Sequence, residues 1–382
     1  MEYVICNKCV VDSSVKSIYL DSRGTCQYCY MHDEMGLEYP KANEKTKNDL
    51  FKIAQKIKFE GRNSKYDCVV GVSGGRDSSY LLYYIKEILK LRPLAVHYDN
   101  GFGSDTSVSN LFKICDKLDV DLETVVENWE NFKKITKSFF LASVSDPDTP
   151  TDVALLKAIN KVAYKEKIKY IFNGHSFRTE GIEPLDWTYM DGLYIENVHK
   201  KHGSGKLLDF NNYTLLDLIK FNFIGGIKTI FPLNYIEYSY DKVEKALIDK
   251  LEWKSYGGHH HENLLTKFIV SYYLPVKFGI DRRRTSLSAE VREGKISRSE
   301  ALNILEKRPK TDNETELLDY ILEKIDLPKE DFEKIMTSDN KNFKNYKTYY
   351  NYLKFFKFVA KICYKINLIP KILYLKYFGT KY

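Results

Sequence analysis

The run Cys68-Val-Val-Gly-Val72, followed at once by Ser73-Gly74-Gly75-Arg76-Asp77-Ser78-Ser79 and then by Leu81, Leu82, Ile85, Ile88 and Leu89, constrains the fold more than any other feature of this chain. A short apolar run, a turn-rich stretch and apolar residues at helical spacing read as strand, loop and helix, the opening unit of a parallel sheet. Asp77 and Ser78 stand where they could cap that helix. The alternation continues: residues 94–98 read as a second strand, Leu111, Ile114, Cys115 and Leu118 as a helix face, and Leu122–Val126 as a third strand. A long helix over about 152–167 then leads to a strand at Tyr170–Phe172. The expected fold class is α/β, a doubly wound parallel sheet, with a helical region after about residue 176. That region includes a capping box at Ser297-Arg-Ser-Glu300.

Composition removes several alternatives. Hydrophobic residues make up 43% of the 382, near the globular average, so the chain folds by burying a core. With 59 Lys plus Arg against 52 Asp plus Glu, the net charge of +7 suits phosphorylated ligands as readily as nucleic acid. The start of the chain has no basic stretch leading into an apolar one, and no run approaches the ~20 apolar residues of a membrane span, so a cytoplasmic location is expected. No internal repeat is present.

Two constellations can carry chemistry. Cys6-x2-Cys9 and Cys26-x2-Cys29 have the spacing of a four-cysteine zinc site, and residues 1–40 have few apolar residues to hold them together otherwise. The second is the loop. Its glycines let backbone amides approach an anion, its serines add donors, and a helix N-terminus adds partial positive charge. Asp77 is placed to meet a Mg²⁺ ion riding on bound phosphates. The pattern is neither Gly-x-Gly-x-x-Gly nor Gly-x4-Gly-Lys-Ser/Thr, so the dinucleotide fold and the common nucleoside-triphosphatase loop lose support. Gly203-Ser-Gly205-Lys206 reads as a surface turn, and His199-x-x-His202 does not make a metal site.

Ser73-Gly74-Gly75-x-Asp77-Ser78 resembles the pyrophosphate (PP) loop of the N-type ATP pyrophosphatases, which adenylate a carbonyl oxygen. The resemblance implies ATP binding by Val72, Ser73, Gly74, Gly75, Asp77, Ser78 and Ser79, by Asp99-Asn100-Gly101 and by Asn173-Gly174-His175. Ser73, Asp77 and His175 would be the catalytic residues, and Asp77 would also hold magnesium. The order of further motifs narrows the match: the four cysteines, the loop, Tyr256-Gly-Gly-His-His-His261-Glu262, Tyr273-Leu-Pro, and Phe278-Gly-Ile-Asp281-Arg-Arg-Arg284. Over roughly residues 1–345 the chain is similar to the N-acetyl sugar amidotransferase family. Members are implied to convert a sugar acetamido group to an acetamidino group, giving AMP and pyrophosphate, during surface-polysaccharide (lipopolysaccharide, O-antigen) or flagellar-glycan biosynthesis. The sugar would be nucleotide-activated or a nonulosonic or uronic acid, met by Arg178, His260, His261, Arg282, Arg283 and Arg284. The solvated or structural reading of the histidines and of the arginine run stays open beside this one.

Four regions follow: a zinc-binding segment at 1–40, a PP-loop domain at 60–235, a helical substrate or accessory region at 236–348, and an amphipathic basic segment at 349–382. Ammonia has no source within the chain. Glu2 stands where an N-terminal-nucleophile glutaminase has Cys, and Cys68, Cys115 and Cys363 read as packing residues, which implies a separate glutaminase subunit. The alternative within the fold is a tRNA-modifying enzyme that adenylates a base before thiolation or amination. The catalytic region has no concentrated basic patch with interleaved aromatics, so nucleic acid is the less favoured partner. In the last segment Phe355, Phe358, Val359, Ile362, Ile366 and Ile369 form a wide apolar face opposite Lys357, Lys361 and Lys365, and Pro370 breaks the pattern. Burial on the chain's own body is the first reading of that face, an oligomer or partner surface the second, and peripheral membrane contact the third.

Overall fold

The computed structural model describes residues 3–207, 209–257, 261–366 and 368–379. Its centre is a five-stranded sheet of β1 (Cys68–Gly71), β2 (Pro93–Asp99), β3 (Leu122–Val126), β4 (Tyr170–Phe172) and β5 (Lys228–Ile230). The order is β3-β2-β1-β4-β5 and every pairing is parallel. Around it stand α1 (Gln27–Glu38), α2 (Glu44–Glu60), α3 (Arg76–Tyr83), α4 (Asp105–Lys117), α5 (Trp129–Leu141), α6 (Thr149–Lys165) and α7 (Gly192–His202).

Side chains alternate across a strand, and β1 shows why its whole length must be apolar. Cys68 and Val70 share one cluster with Leu50 and Ala54 of α2, Leu81 and Leu82 of α3, and Leu111 of α4. Val69 faces the opposite way, into a cluster with Leu94, Val96, Val162, Ala163 and Phe221. The sheet is therefore covered on both faces, as a doubly wound sheet requires. The chain order places β2 and β3 on one side of β1 and β4 and β5 on the other. The direction of winding reverses between β1 and β4, and in open α/β sheets the crevice outside such carboxyl ends is where ligands bind.

Local departures from the expected elements have physical causes. Gly75, not Asp77 or Ser78, is the residue before α3 and it makes no side-chain cap, so Asp77 and Ser78 lie inside the first turn. Helix α6 starts at Thr149 because Pro150 fits the opening turn of a helix. Strand β5 escapes sequence pattern because three residues are too few to show alternation. The capping box at Ser297 and Glu300 forms as expected.

The four-cysteine segment and the C-terminal helices share one core. Tyr28, Met31 and Met35 of α1 belong to the same cluster as Phe268, Ile269, Leu274, Ile321, Phe332 and Leu375. The tail forms three short helices, Tyr350–Phe355, Lys357–Lys365 and Lys371–Phe378. Pro370 ends one apolar pattern and stands just before the next helix, where its missing N–H costs no helical hydrogen bond. This last helix is anchored: Leu375 is buried, the Tyr377 hydroxyl donates to the Met190 carbonyl at 3.1 Å, and Lys371 donates to the Glu34 carbonyl at 2.8 Å.

Phe140 of α5 joins the sheet layer to the C-terminal helices, with its ring 5.0 Å from Tyr273, 6.1 Å from Phe268 and 6.3 Å from Phe332. Phe140→Ala should cost about 3–5 kcal/mol, because a fully buried aromatic is replaced by a cavity. A lowered urea midpoint with an unchanged slope would register this loss.

Candidate active site and cysteine cluster

The loop after β1 is shaped by Gly74. Its φ of +76° lies in the left-handed region, and a Cβ there would sit 1.9 Å from the Ser107 carbonyl oxygen of α4, so only glycine fits. The Gly74 carbonyl is bound by the Trp253 indole N–H at 3.0 Å, with the Asn110 amide at 3.5 Å. Ser73 and Ser78 hold the turn from inside. The Ser73 N–H donates to Ser78 Oγ at 3.2 Å, the Gly75 N–H donates to Ser73 Oγ at 3.2 Å, and the Ser78 hydroxyl donates to the Gly75 carbonyl at 3.2 Å. Val72 is buried and continues the sheet, its N–H donating to the Val96 carbonyl at 2.9 Å. Ser79 is also buried, and its hydroxyl has no partner among the described residues.

At the N-terminus of α3, the Arg76 N–H donates to the Tyr256 hydroxyl oxygen at 3.2 Å. A neutral oxygen thus occupies a position suited to an anion's oxygen. The Asp77 carboxylate accepts from Arg76 Nε at 3.1 Å and from the Tyr238 hydroxyl. Arg76 in turn stacks over Tyr240, 3.8 Å from the ring centre. Sequence reading missed Tyr238, Tyr240 and Trp253, which lie some 160 to 180 positions further along the chain. For Tyr256 and Glu262 there was a signal, since both belong to the Tyr256–Glu262 motif, in which only the histidines were given a role.

The other two loops meet this one. Asp99 accepts the Gly101 N–H at 2.8 Å, and buried Asn100 accepts from the Phe102 N–H and from Asn263 at 3.1 Å each. Asn100 also donates to Thr151 Oγ1 at 3.2 Å, tying the end of β2 to the first turn of α6. Gly174 packs on Asp77, since a Cβ there would lie 3.6 Å from the Asp77 backbone. The Asn173 side chain accepts the His175 N–H at 2.8 Å, and the half-buried His175 ring stands 4.0 Å from the Glu180 carboxylate. Residues 254–257 and 261–264 border the site, the second stretch joined to α4 and its approach by the Ser104 N–H and Ser107 hydroxyl, both donating to the Glu262 carbonyl at 2.9 Å. His261 lies in this second stretch; His259 and the expected substrate contact His260 lie outside the described residues.

The arginines expected to meet substrate are already paired. Arg178 binds Glu293 and the Tyr39 carbonyl, linking the loop after β4 to the region around α1. Arg283 binds Asp281 at 2.7 Å and the Lys307 carbonyl. Arg284 binds Asp12 at 2.9 Å and the Val10 carbonyl at 2.8 Å. Arg282 binds Asp148 at 2.7 Å and Glu183 at 2.5 Å, so of the three it lies nearest the first turn of α6 and the crevice. Consecutive positions on a helix start point in different directions, which is why an Arg-Arg-Arg run cannot act as one clamp.

The four cysteines converge as their spacing requires. All are fully buried, with Sγ–Sγ distances of 3.8 Å for Cys6–Cys29, 3.6 Å for Cys9–Cys26 and 3.7 Å for Cys26–Cys29. Four sulfurs this close can hold a single metal ion. Buried Arg292 donates to Cys29 Sγ at 3.3 Å and Cys9 Sγ at 3.2 Å, offsetting thiolate charge, while Arg298 binds the Cys6 and Cys9 carbonyls.

Residues 262–362 match the family model for the LPS biosynthesis protein WbpG-like, C-terminal domain. The C-terminal region is WbpG-like. This match supports the family resemblance that the sequence motifs carry. An uncharacterized protein of Methanocaldococcus jannaschii is 25% identical over 315 residues, covering 81% of this chain and 95% of its own length. Solved structures with partial overlap include the U34-tRNA thiolase NcsA of Methanococcus maripaludis with its [4Fe-4S] cluster, at 16% identity, 82% and 92% coverage of the two chains and a TM-score of 0.32. The NH3-dependent NAD synthetase of Campylobacter jejuni overlaps at 14% identity, 70% and 98% coverage and a TM-score of 0.32.

Asp146, close to the crevice wall, is fully buried and accepts from the Tyr194 hydroxyl at 2.8 Å and the Tyr189 N–H at 3.0 Å. Burial pushes its carboxyl up to about 7, and the hydrogen bonds only partly oppose this. The unfolded chain loses that proton near the usual ~3.9, so between these values the folded state holds more protons and stability falls as pH rises. Thermal melts should therefore decline from pH 5 to 7, and Asp146→Asn should flatten that decline.

Proposed function

We propose that the chain is an ATP-dependent, AMP-forming carbon–nitrogen ligase that turns the acetamido group of an N-acetylated sugar into an acetamidino group. One observation carries the reading: a glycine-shaped loop at the carboxyl edge of β1 presents the N-terminus of α3 beside Asp77, with an oxygen already accepting its first N–H. The WbpG-like match supports a sugar substrate in surface-polysaccharide synthesis.

An amide carbon is a poor electrophile. The amide oxygen attacks the α-phosphorus of ATP and expels pyrophosphate; ammonia then adds to the activated carbon, loses a proton, and AMP leaves. Catalysis of such steps is positioning and charge stabilisation. Ser73, Gly74, Gly75 and Ser78, with the Arg76 N–H, would hold the pyrophosphate, whose oxygen takes the place of the Tyr256 hydroxyl. Asp77 fits a magnesium ion, released from Arg76 and Tyr238 as phosphate arrives; the ion would neutralise phosphate charge. Asp99, Asn100 and Gly101 would face the adenosine end, and Asn173, Gly174 and His175 the α-phosphate. His261 and Arg282 would be the substrate contacts. The thiols argue for ammonia from a separate glutaminase: burial pushes Cys115 up to about 11 and Cys68 well above its ordinary value, which makes both poor nucleophiles.

Nucleotide-activated N-acetyl sugars incubated with ATP, Mg²⁺ and ammonium should yield AMP, pyrophosphate and a product in which an NH replaces the amide oxygen and adds a positive charge. Asp77→Ala should slow turnover about 10²-fold. Glutamine should replace ammonium only when a glutaminase is added. ADP as product would overturn the assignment, and AMP formation that depends on tRNA instead of sugar would move it to base modification.

Zinc is the proposed ion of the cysteine cluster, since tetrahedral Zn–S bonds of about 2.3 Å need sulfurs about 3.75 Å apart. Metal analysis should find about one zinc per chain. Cys9→Ser should lower folded yield more than specific activity.

A further inference from the structure

We propose that the helices 350–366 and 215–224 form one surface that docks on an anionic lipid bilayer without crossing it. Two separate elements expose large apolar side chains side by side. In the tail Phe355 is 83% exposed, Phe358 74% and Ile366 56%; in the other element Leu216 is 77% and Ile224 74% exposed. Asn222 of the second element donates to the Leu368 carbonyl, in the loop that follows the first, at 3.5 Å, which ties the two elements together. Soluble monomers seldom expose contiguous apolar area on this scale.

Helix 357–365 divides into three arcs at about 100° per residue. Ala360, Cys363 and Tyr364 face inward, with Tyr364 stacked on Tyr374 of the anchored last helix. Phe358, Val359, Ile362 and Ile366 fill an outer arc roughly a quarter-turn wide, and Phe355 of the short helix before it is exposed as well. Lys357, Lys361 and Lys365 fill the arc between, and none of them has a carboxylate partner among the described residues.

Charge selects the occupant. After Asp339 the sequence contains ten lysines and no Asp or Glu. A second copy of the same surface would bring lysine against lysine. An RNA would satisfy the lysines but not Val359, Ile362, Ile366, Leu216 and Ile224, which have no ring on which a base can stack. An anionic bilayer suits both arcs, because the apolar side chains enter the acyl boundary while lysine stems reach back to the headgroups. None of the described helices is long and apolar enough to cross a membrane, so the surface lies in the interface plane.

The test is co-sedimentation of the full chain with vesicles of phosphatidylcholine alone or with added phosphatidylglycerol, at low and high salt. Binding should require the anionic lipid and weaken with salt. Phe355→Ser with Phe358→Ser should reduce it at least tenfold, and Lys361→Gln with Lys365→Gln by about fivefold per lysine. These residues are exposed, so circular dichroism and ATP turnover should be unchanged. Absence of vesicle binding overturns the proposal. So does a wild-type dimer that the serine variant converts to monomer while vesicle binding persists, or tRNA binding that vesicles do not displace.

Discussion

The backbone at Gly74 is the point on which the site depends. Wedged against the Ser107 carbonyl and held by Trp253 and Asn110, it has no room for a side chain and no freedom to turn. Because its carbonyl is bound on the inner side, the peptides that follow can present their N–H groups at the start of α3. That point stands at the switch in the sheet because β1 is central, with β2 on one side and β4 on the other. An anion site of this kind needs no net charge nearby; aligned peptide dipoles supply it.

Charged residues do their work mainly as ties between parts of the chain. Arg284 with Asp12, Arg298 with the Cys6 and Cys9 carbonyls, and Arg292 with the cysteine sulfurs fasten the cysteine segment to the C-terminal helices. Glu293 then joins His32 at 2.8 Å and Arg178, carrying that connection to the loop after β4 beside the site. Buried pairs of this kind contribute little net stability, but removing one partner leaves an uncompensated charge, so they favour one arrangement of the parts over others. The cysteine segment is thus part of the frame of the crevice, and its loss would be felt there.

Local sequence determined the strand–loop–helix unit at 68–89, the next strands and helices, the convergence of four cysteines, and the glycine at position 74. Each depends on neighbours within a few residues or on a fixed ligand spacing, and such short-range rules hold wherever the segment is placed. The same rules overextended at Asp77 and Ser78 as caps, because one residue's shift in where a helix starts places both inside its first turn.

What only the tertiary structure decided is which distant residues complete the site and which charged groups are free. Tyr238, Trp253 and Tyr256 reach the loop from the far end of the sheet domain, and no local pattern marks a tyrosine as the partner of an aspartate 161 positions away. The Arg282–Arg284 run looked like a clamp in one dimension, yet each guanidinium points to a different carboxylate once the helix forms. The tail likewise showed its apolar and lysine stripes in the sequence, but only packing could settle which face the last helix covers and which it leaves to solvent. Periodicity is a property of a segment; pairing and exposure are properties of what the rest of the chain brings to meet it.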